Sequence, residues 1–256
     1  MLGLGTSASA SLVKQWEPTD HPRLLMWLQA INKTGVITYG TSPAVSKWTA
    51  RFPLDGSLSF DQGTAANQPD YNAATGAVDF VTDASGSNDD VLLDSNTEIV
   101  LDTSDEGWTI AMVAKCTDWD SANQVFFGER DTNNNFLRHN GTSGLGFKMN
   151  GDLRTFSFDT PSSLTDDTFY HIMLCADSAG EGVVTVYINN VAQADTETFT
   201  AAEDDFTLDE IGGKNNLSQT LTGSIKEMQV FDAELSSVER EECYKFMTNR
   251  MIDHEG

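Results

Sequence analysis

The feature that most restricts this chain is a set of short runs in which apolar side chains recur at every second residue. Between Trp108 and Cys116, the residues Trp108, Ile110, Met112, Ala114 and Cys116 share one parity, while Thr109, Ala111, Val113 and Lys115 share the other. A period of two places successive side chains on opposite faces of an extended strand, whereas a helix needs a period near 3.6. Tyr170–Ala176 and Val183–Ile188 are rich in β-branched and aromatic residues and predict two further strands. The second ends in Asn189-Asn190 before apolar residues resume at Val191. Asparagine tolerates positive φ, so that pair predicts a tight hairpin. Strands are also expected at Gln124–Gly128, Asn135–Arg138, Leu145–Met149 and Leu153–Phe158, with Gly, Asn, Asp and Ser in the connections. Many short strands with polar turns predict an all-β fold, a two-sheet sandwich.

The segment Gly223–Phe231 changes phase: Ile225 and Phe231 share one parity, Met228 and Val230 the other. A β-bulge, which inserts one extra residue into a strand, would reconcile them. Beyond it the sequence predicts one short C-terminal helix. Ser236 or Ser237 can cap its start, with Glu239 near the capping-box position. Val238, Tyr244, Phe246, Met247 and Met251 supply apolar positions, and Lys245 and Arg250 suit the C-terminal end of the dipole.

Charge divides the chain unevenly. The 256 residues hold 15 Lys and Arg against 39 Asp and Glu, a net charge of −24. Residues 1–60 carry five basic and three acidic side chains; the remainder carries 10 and 36. So negative a body opposes direct contact with a nucleic-acid backbone or an anionic membrane surface. The longest apolar runs, such as Leu24–Leu28, are too short to cross a bilayer. Residues 1–20 start small and uncharged and read as an N-terminal arm, leaving 21–256 as the sandwich domain. Met1 to Ser11 lacks the basic and apolar regions of a secretory leader. The three cysteines, Cys116, Cys175 and Cys243, are too few and too far apart for a disulfide framework. Both observations point to assembly inside a cell.

Three segments in order resemble the laminin-G-like, concanavalin A-like jelly-roll superfamily. They are Glu106–Lys115, then Phe169–Ala176 through Val186–Gln193, then Ile211–Gly213 through Leu221–Ser236. In that family the first is a core strand, the second a strand pair closed by a hairpin, and the third a strand followed by a short helix. Upstream, Leu24–Leu28, Val45–Trp48 and Ala77–Phe80 resemble the opening strands of versions found in bacterial and phage proteins, where Trp27 and Trp48 would be structural. The resemblance covers roughly residues 21–250 and implies that the all-β fold is a two-sheet antiparallel jelly-roll sandwich. Together with the small uncharged start and the acidic body, it resembles a phage virion structural protein.

The resemblance also implies where to look for chemistry. Glycosidases of this superfamily carry three acids at strand spacing, which flank the scissile bond. Asp118-Trp119-Asp120, Glu203-Asp204-Asp205 and Asp209-Glu210 come nearest, and none supplies the row. No Ser-His-Asp or Cys-His arrangement is legible, and His21, His139, His171 and His254 show no metal spacing. Calcium suits oxygen-rich loops. Asp131, Asn133 and Asn135 offer oxygens at alternate positions, but Phe136 stands where a calcium loop needs Gly and Thr142 where it needs Glu. A polar turn is the plainer reading. Asp83–Asp90 is a second oxygen-rich loop. For a sugar, Trp119 flanked by Asp118 and Asp120 is the first candidate platform, followed by Tyr71 and Phe136; a loop Trp serves as often as a lid over the core.

The function expected on these grounds is a non-enzymatic virion structural protein, a capsid decoration or other surface component. Residues 1–20 would dock it to other virion proteins, assembly would take place in the host cytoplasm, and homo-oligomers would be allowed. The alternative is a lectin-like carbohydrate-binding module that aids adsorption to a host surface. No cofactor beyond calcium is implied, and neither a nucleic-acid partner nor membrane insertion is expected.

Overall fold

A computed structural model describes residues 16–31, 36–53, 57–81, 90–94, 99–102, 107–120, 123–141, 143–177, 182–199, 205–214 and 219–252. Met1–Gln15, most of the expected arm, therefore lies outside the described residues. Trp16 already belongs to the body: its ring meets Phe246 edge-on at 5.8 Å. A short 3-10 turn, Pro18–Asp20, then leads into the first strand, Leu24–Gln29.

Two antiparallel sheets face each other. The first runs Val191–Thr198, Val183–Ile188, Tyr170–Ala176, Trp108–Cys116, Gly223–Phe231, Ala77–Phe80, Asp70–Asn72. Leu24–Gln29 also pairs with Gly223–Phe231, beside the half that Ala77–Phe80 does not use. The second runs Asp152–Ser157, Gly144–Met149, Phe136–His139, Val125–Gly128, Glu210–Ile211, Leu92–Asp94, Ser59–Asp61, Val45–Thr49, Ile37–Tyr39. A small pair, Asp205–Leu208 with Ile99–Asp102, stands apart.

Alternation fills the space between the sheets. Trp108, Ile110, Met112, Ala114 and Cys116 of the first sheet enter one core with Trp48, Phe60, Leu137, Leu145 and Phe147 of the second. The expected phase change in Gly223–Phe231 is a register shift between Ile225 and Glu227, and the Asn189-Asn190 turn has φ of 49° and 63°. The outer parity of the first sheet is apolar as well. Ala111, Val113, Met173, Cys175, Trp27 and Phe231 form a second core with Cys243, Phe246 and Met247 of the C-terminal helix.

That helix, Ser237–Ile252, lies over the first sheet as a third layer. Its start is a capping box: the Ser236 amide donates to Glu239 Oε2 at 2.8 Å, and the Glu239 amide to Ser236 Oγ at 3.4 Å. Val238, expected on the apolar stripe, is instead 69% exposed. It lies five residues before Cys243, about 140° around the helix from it at 100° per residue, so it points away from the sheet. Among the described residues, no helix is long and apolar enough to cross a membrane. The helix covers the outer face of one sheet; among the described residues no helix packs on the outer face of the nine-stranded sheet, where Leu153 is exposed, Arg138 and Lys148 are half-buried, and Phe136 and Lys214 are buried.

Candidate functional site

The loop expected to present Trp119 turns it inward. The Trp119 amide donates to Asp166 Oδ1 at 2.8 Å, and the Asp120 amide to Asp118 Oδ1 at 2.9 Å. With the backbone held this way the indole is fully buried, against Phe126, His139 and Tyr170. A ring without an exposed face cannot stack on a sugar, which corrects the expectation for Trp119. Asp118 and Asp120 remain exposed around it. The Asp118 charge acts on His139 beneath, opposing the burial that pushes this imidazole down to about 4. Tyr71 is buried too.

The expected calcium loop disperses its oxygens. Asp131 is exposed beside Arg130, 3.6 Å away. Asn135 Nδ2 donates to Glu129 at 2.9 Å, and its Oδ1 accepts from the Asn150 amide at 2.8 Å. Asn133 gives its backbone oxygen to Lys148 Nζ at 2.7 Å and its side-chain oxygen to Lys214 Nζ. The chain's own donors take these oxygens, a guanidinium at Asp131, a backbone amide at Asn135 and two ammonium groups at Asn133, which corrects the expectation for Asp131, Asn133 and Asn135. Among the described residues, no group of three or more His, Cys, Asp or Glu could hold a metal. The Asp83–Asp90 loop lies outside the described residues except for Asp90, whose Oδ2 accepts from the Val81 amide at 2.9 Å.

Those two lysines belong to a cluster of cations on the outer face of the nine-stranded sheet. Across the nine-stranded sheet, strand register aligns a single row: Lys47, Asp61, Leu93, Glu210, Gly128, Phe136, Lys148, Leu153. A parallel row contains Val125, Arg138, Gly146 and Thr155. Phe136 forms a floor within this face. Lys214 Nζ lies 4.0 Å from its ring centroid, the Arg138 guanidinium carbon 5.4 Å and Lys148 Nζ 5.8 Å.

Two glycines make the arrangement possible. A Cβ on Gly146 would stand 3.0 Å from Arg138 Nε, and one on Gly128 would stand 2.9 Å from Lys214 Cβ. Their missing side chains leave room for the cations to lie against the sheet. Burial, then the charges of Arg138 and Lys148, push Lys214 down to about 8, with Glu210 acting the other way. Burial also lowers Arg138. Sequence reasoning had Phe136 as a sugar platform; it serves instead as a platform for cations. It missed the cluster itself, because residues 138, 148 and 214 converge only through strand pairing.

A family model matches residues 85–239, more than half of the chain. The chain belongs to the concanavalin A-like lectin/glucanases superfamily. Among curated proteins, none matches this superfamily member. Solved structures share its fold at low identity. A botulinum neurotoxin type C structure, described as dependent for cell entry on two ganglioside molecules, aligns with a TM-score of 0.55 at 11% identity, covering 88% of this chain and 51% of that one. The botulinum neurotoxin serotype C1 binding domain aligns at 0.53 and 13%, covering 90% and 53%. A Trypanosoma rangeli sialidase aligns at 0.51 and 10%, covering 90% and 34%. The chain thus spans about half the length of the toxin domains and a third of the sialidase.

Proposed function

We propose that the protein is a non-catalytic carbohydrate-binding module that binds through the open face of the nine-stranded sheet. The observation that carries this is the Phe136, Arg138, Lys148 and Lys214 cluster, placed on the face that the C-terminal helix leaves uncovered. Ligand sites combine apolar surface with a few placed polar groups, and here Leu153, 40% exposed, and Thr155 adjoin the cations. Membership of the superfamily and the ganglioside relationship of a fold relative support the same reading. The test is a glycan array with the full chain and with Leu153→Trp/Thr155→Trp, two exposed positions where added rings would cover the face. Binding lost in the double variant is expected; undiminished binding would remove this face from consideration, and a flat array would remove the function.

The charge division of the chain supports a second reading, as a surface component of a phage-like particle docked by residues 1–20. A body of net negative charge repels its neighbours, and residues 1–60 do not share that charge. Because Trp16 packs against Phe246, the informative truncation stops at Gln15. The shortened protein should fold and be lost from particles; its co-purification at full occupancy would refute the docking role.

A further inference from the structure

We propose that the ligand of this face is an anionic polysaccharide, whose carboxylate or sulfate groups are taken by Arg138 and Lys148, with the buried Lys214 ammonium adding its charge from beneath. This rests on the reading of the protein as a glycan-binding module and adds the chemical class of the glycan.

In a chain with 39 acidic and 15 basic residues, a cation readily finds a carboxylate. Arg23, Lys47, Lys115, Arg130, Arg154 and Lys245 all do so, at surface ion pairs. The cluster on the open face is built differently. Among the described residues Arg138 makes no ion pair and donates no hydrogen bond, and its Nε is buried without a partner. Lys148 and Lys214 donate to the backbone and amide oxygens of one uncharged residue, Asn133. A guanidinium has five N–H donors and an ammonium three, so most of the donor capacity is unspent. Glu210 is the acid whose charge acts on Lys214. The positions of Gly146 and Gly128 leave room for the three to lie over one aromatic ring. At physiological ionic strength the Debye length is about 8 Å, so the local attraction survives while the repulsion of the distant acidic body is screened.

The same geometry selects a sugar acid over an acidic peptide. A peptide that adds a strand needs a sheet edge, and Phe136–His139 and Gly144–Met149 lie inside the sheet. Rigid rings carrying equatorial hydroxyls and a carboxylate fit a flat floor with Thr155 and Leu153 at its side.

Titration calorimetry of the full chain tests this with oligogalacturonate, sialyllactose and chondroitin sulfate, the methyl ester of oligogalacturonate and neutral lactose as uncharged counterparts, and polyglutamate as a non-sugar polyanion. At least one acidic glycan should bind at least tenfold more tightly than its uncharged counterpart and than polyglutamate. Arg138→Gln and Lys148→Gln should each weaken that binding about tenfold or more, the scale of a charge-assisted hydrogen bond. Lys47→Gln, on the same face but distant from the cluster, should change it less than twofold, and circular dichroism should show all three variants folded. Equal binding of acidic and neutral glycans would overturn the anionic class while leaving the glycan module standing. Polyglutamate binding as tightly as the glycans would overturn the sugar class. Silence from every glycan, charged and neutral, would overturn both readings.

Discussion

Substituting His171 by Phe should flatten the acid sensitivity of the fold by a calculable amount. His171 lies in Tyr170–Ala176 with its ring edge-on to Tyr244 of the C-terminal helix, 5.3 Å away. Neither ring nitrogen has a hydrogen-bond partner, and burial pushes the imidazole down to about 3. His139, under the Asp118 loop, is pushed down to about 4, chiefly by burial. In the unfolded chain both titrate near 6.5. Between these values the unfolded state binds protons that the native state does not. The stability held above pH 6.5 is therefore lost on acidification, at about 1.4 kcal/mol per pH unit for each histidine. From pH 7.5 to 4.5 the loss is about 2.7 kcal/mol per histidine, or about 5 kcal/mol for the pair. His171→Phe keeps a ring of similar size in an apolar layer, so its cost at pH 7.5 should stay within about 1.5 kcal/mol. Urea unfolding of both proteins at both pH values checks this. The carboxylates are common to the two, so their titration cancels in the difference. The variant should lose about 2.7 kcal/mol less than the parent; identical losses would mean that His171 is protonated in the native state and that the buried-imidazole argument is wrong.

Other outcomes follow from the same packing. Trp119→Ala should cost about 3–5 kcal/mol of stability, read as a fall in Tm before any effect on ligand binding. Gly223→Ala should destabilise by about 1–3 kcal/mol or more, since a Cβ there would stand 2.1 Å from the Lys115 carbonyl oxygen; chemical denaturation measures it. Binding of an acidic glycan should weaken as pH rises through about 8, because Lys214 is cationic only below that point. Arg138 remains a guanidinium across that range, so the calorimetric profile should step down without vanishing. In Lys214→Met that step should disappear.

Much of the sandwich was legible because period two is a local property. Trp108–Cys116, Tyr170–Ala176 and Val183–Ile188 begin and end where alternation and β-branched content place them. The bulge in Gly223–Phe231 was readable from a parity conflict inside nine residues. The third layer was written there too: Ala111 and Val113 make the second parity of Trp108–Cys116 apolar, which a strand needs only when both its faces are covered. Trp119 was not legible, because its direction depends on Asp166, which is brought beside it only by the fold. The cation cluster was equally hidden. Parity places Phe136 and Arg138 on one face, but Lys148 joins them through hairpin register and Lys214 by way of a strand more than sixty residues further along the chain.

The three-layer arrangement also makes the molecule its own reporter. All three cysteines are free and buried, but they sit in different compartments: Cys116 in the inter-sheet core, Cys175 and Cys243 between the first sheet and the helix. Burial pushes Cys175 up to about 12 and Cys243 well above an ordinary thiol, so neither reacts until its surroundings open. If the helix lifts away while the sandwich holds, a thiol-directed probe would capture two sulfurs early and the third only with global collapse. The timing of those labels would separate detachment of the outer layer from loss of the sandwich, without introducing a foreign group anywhere in the chain.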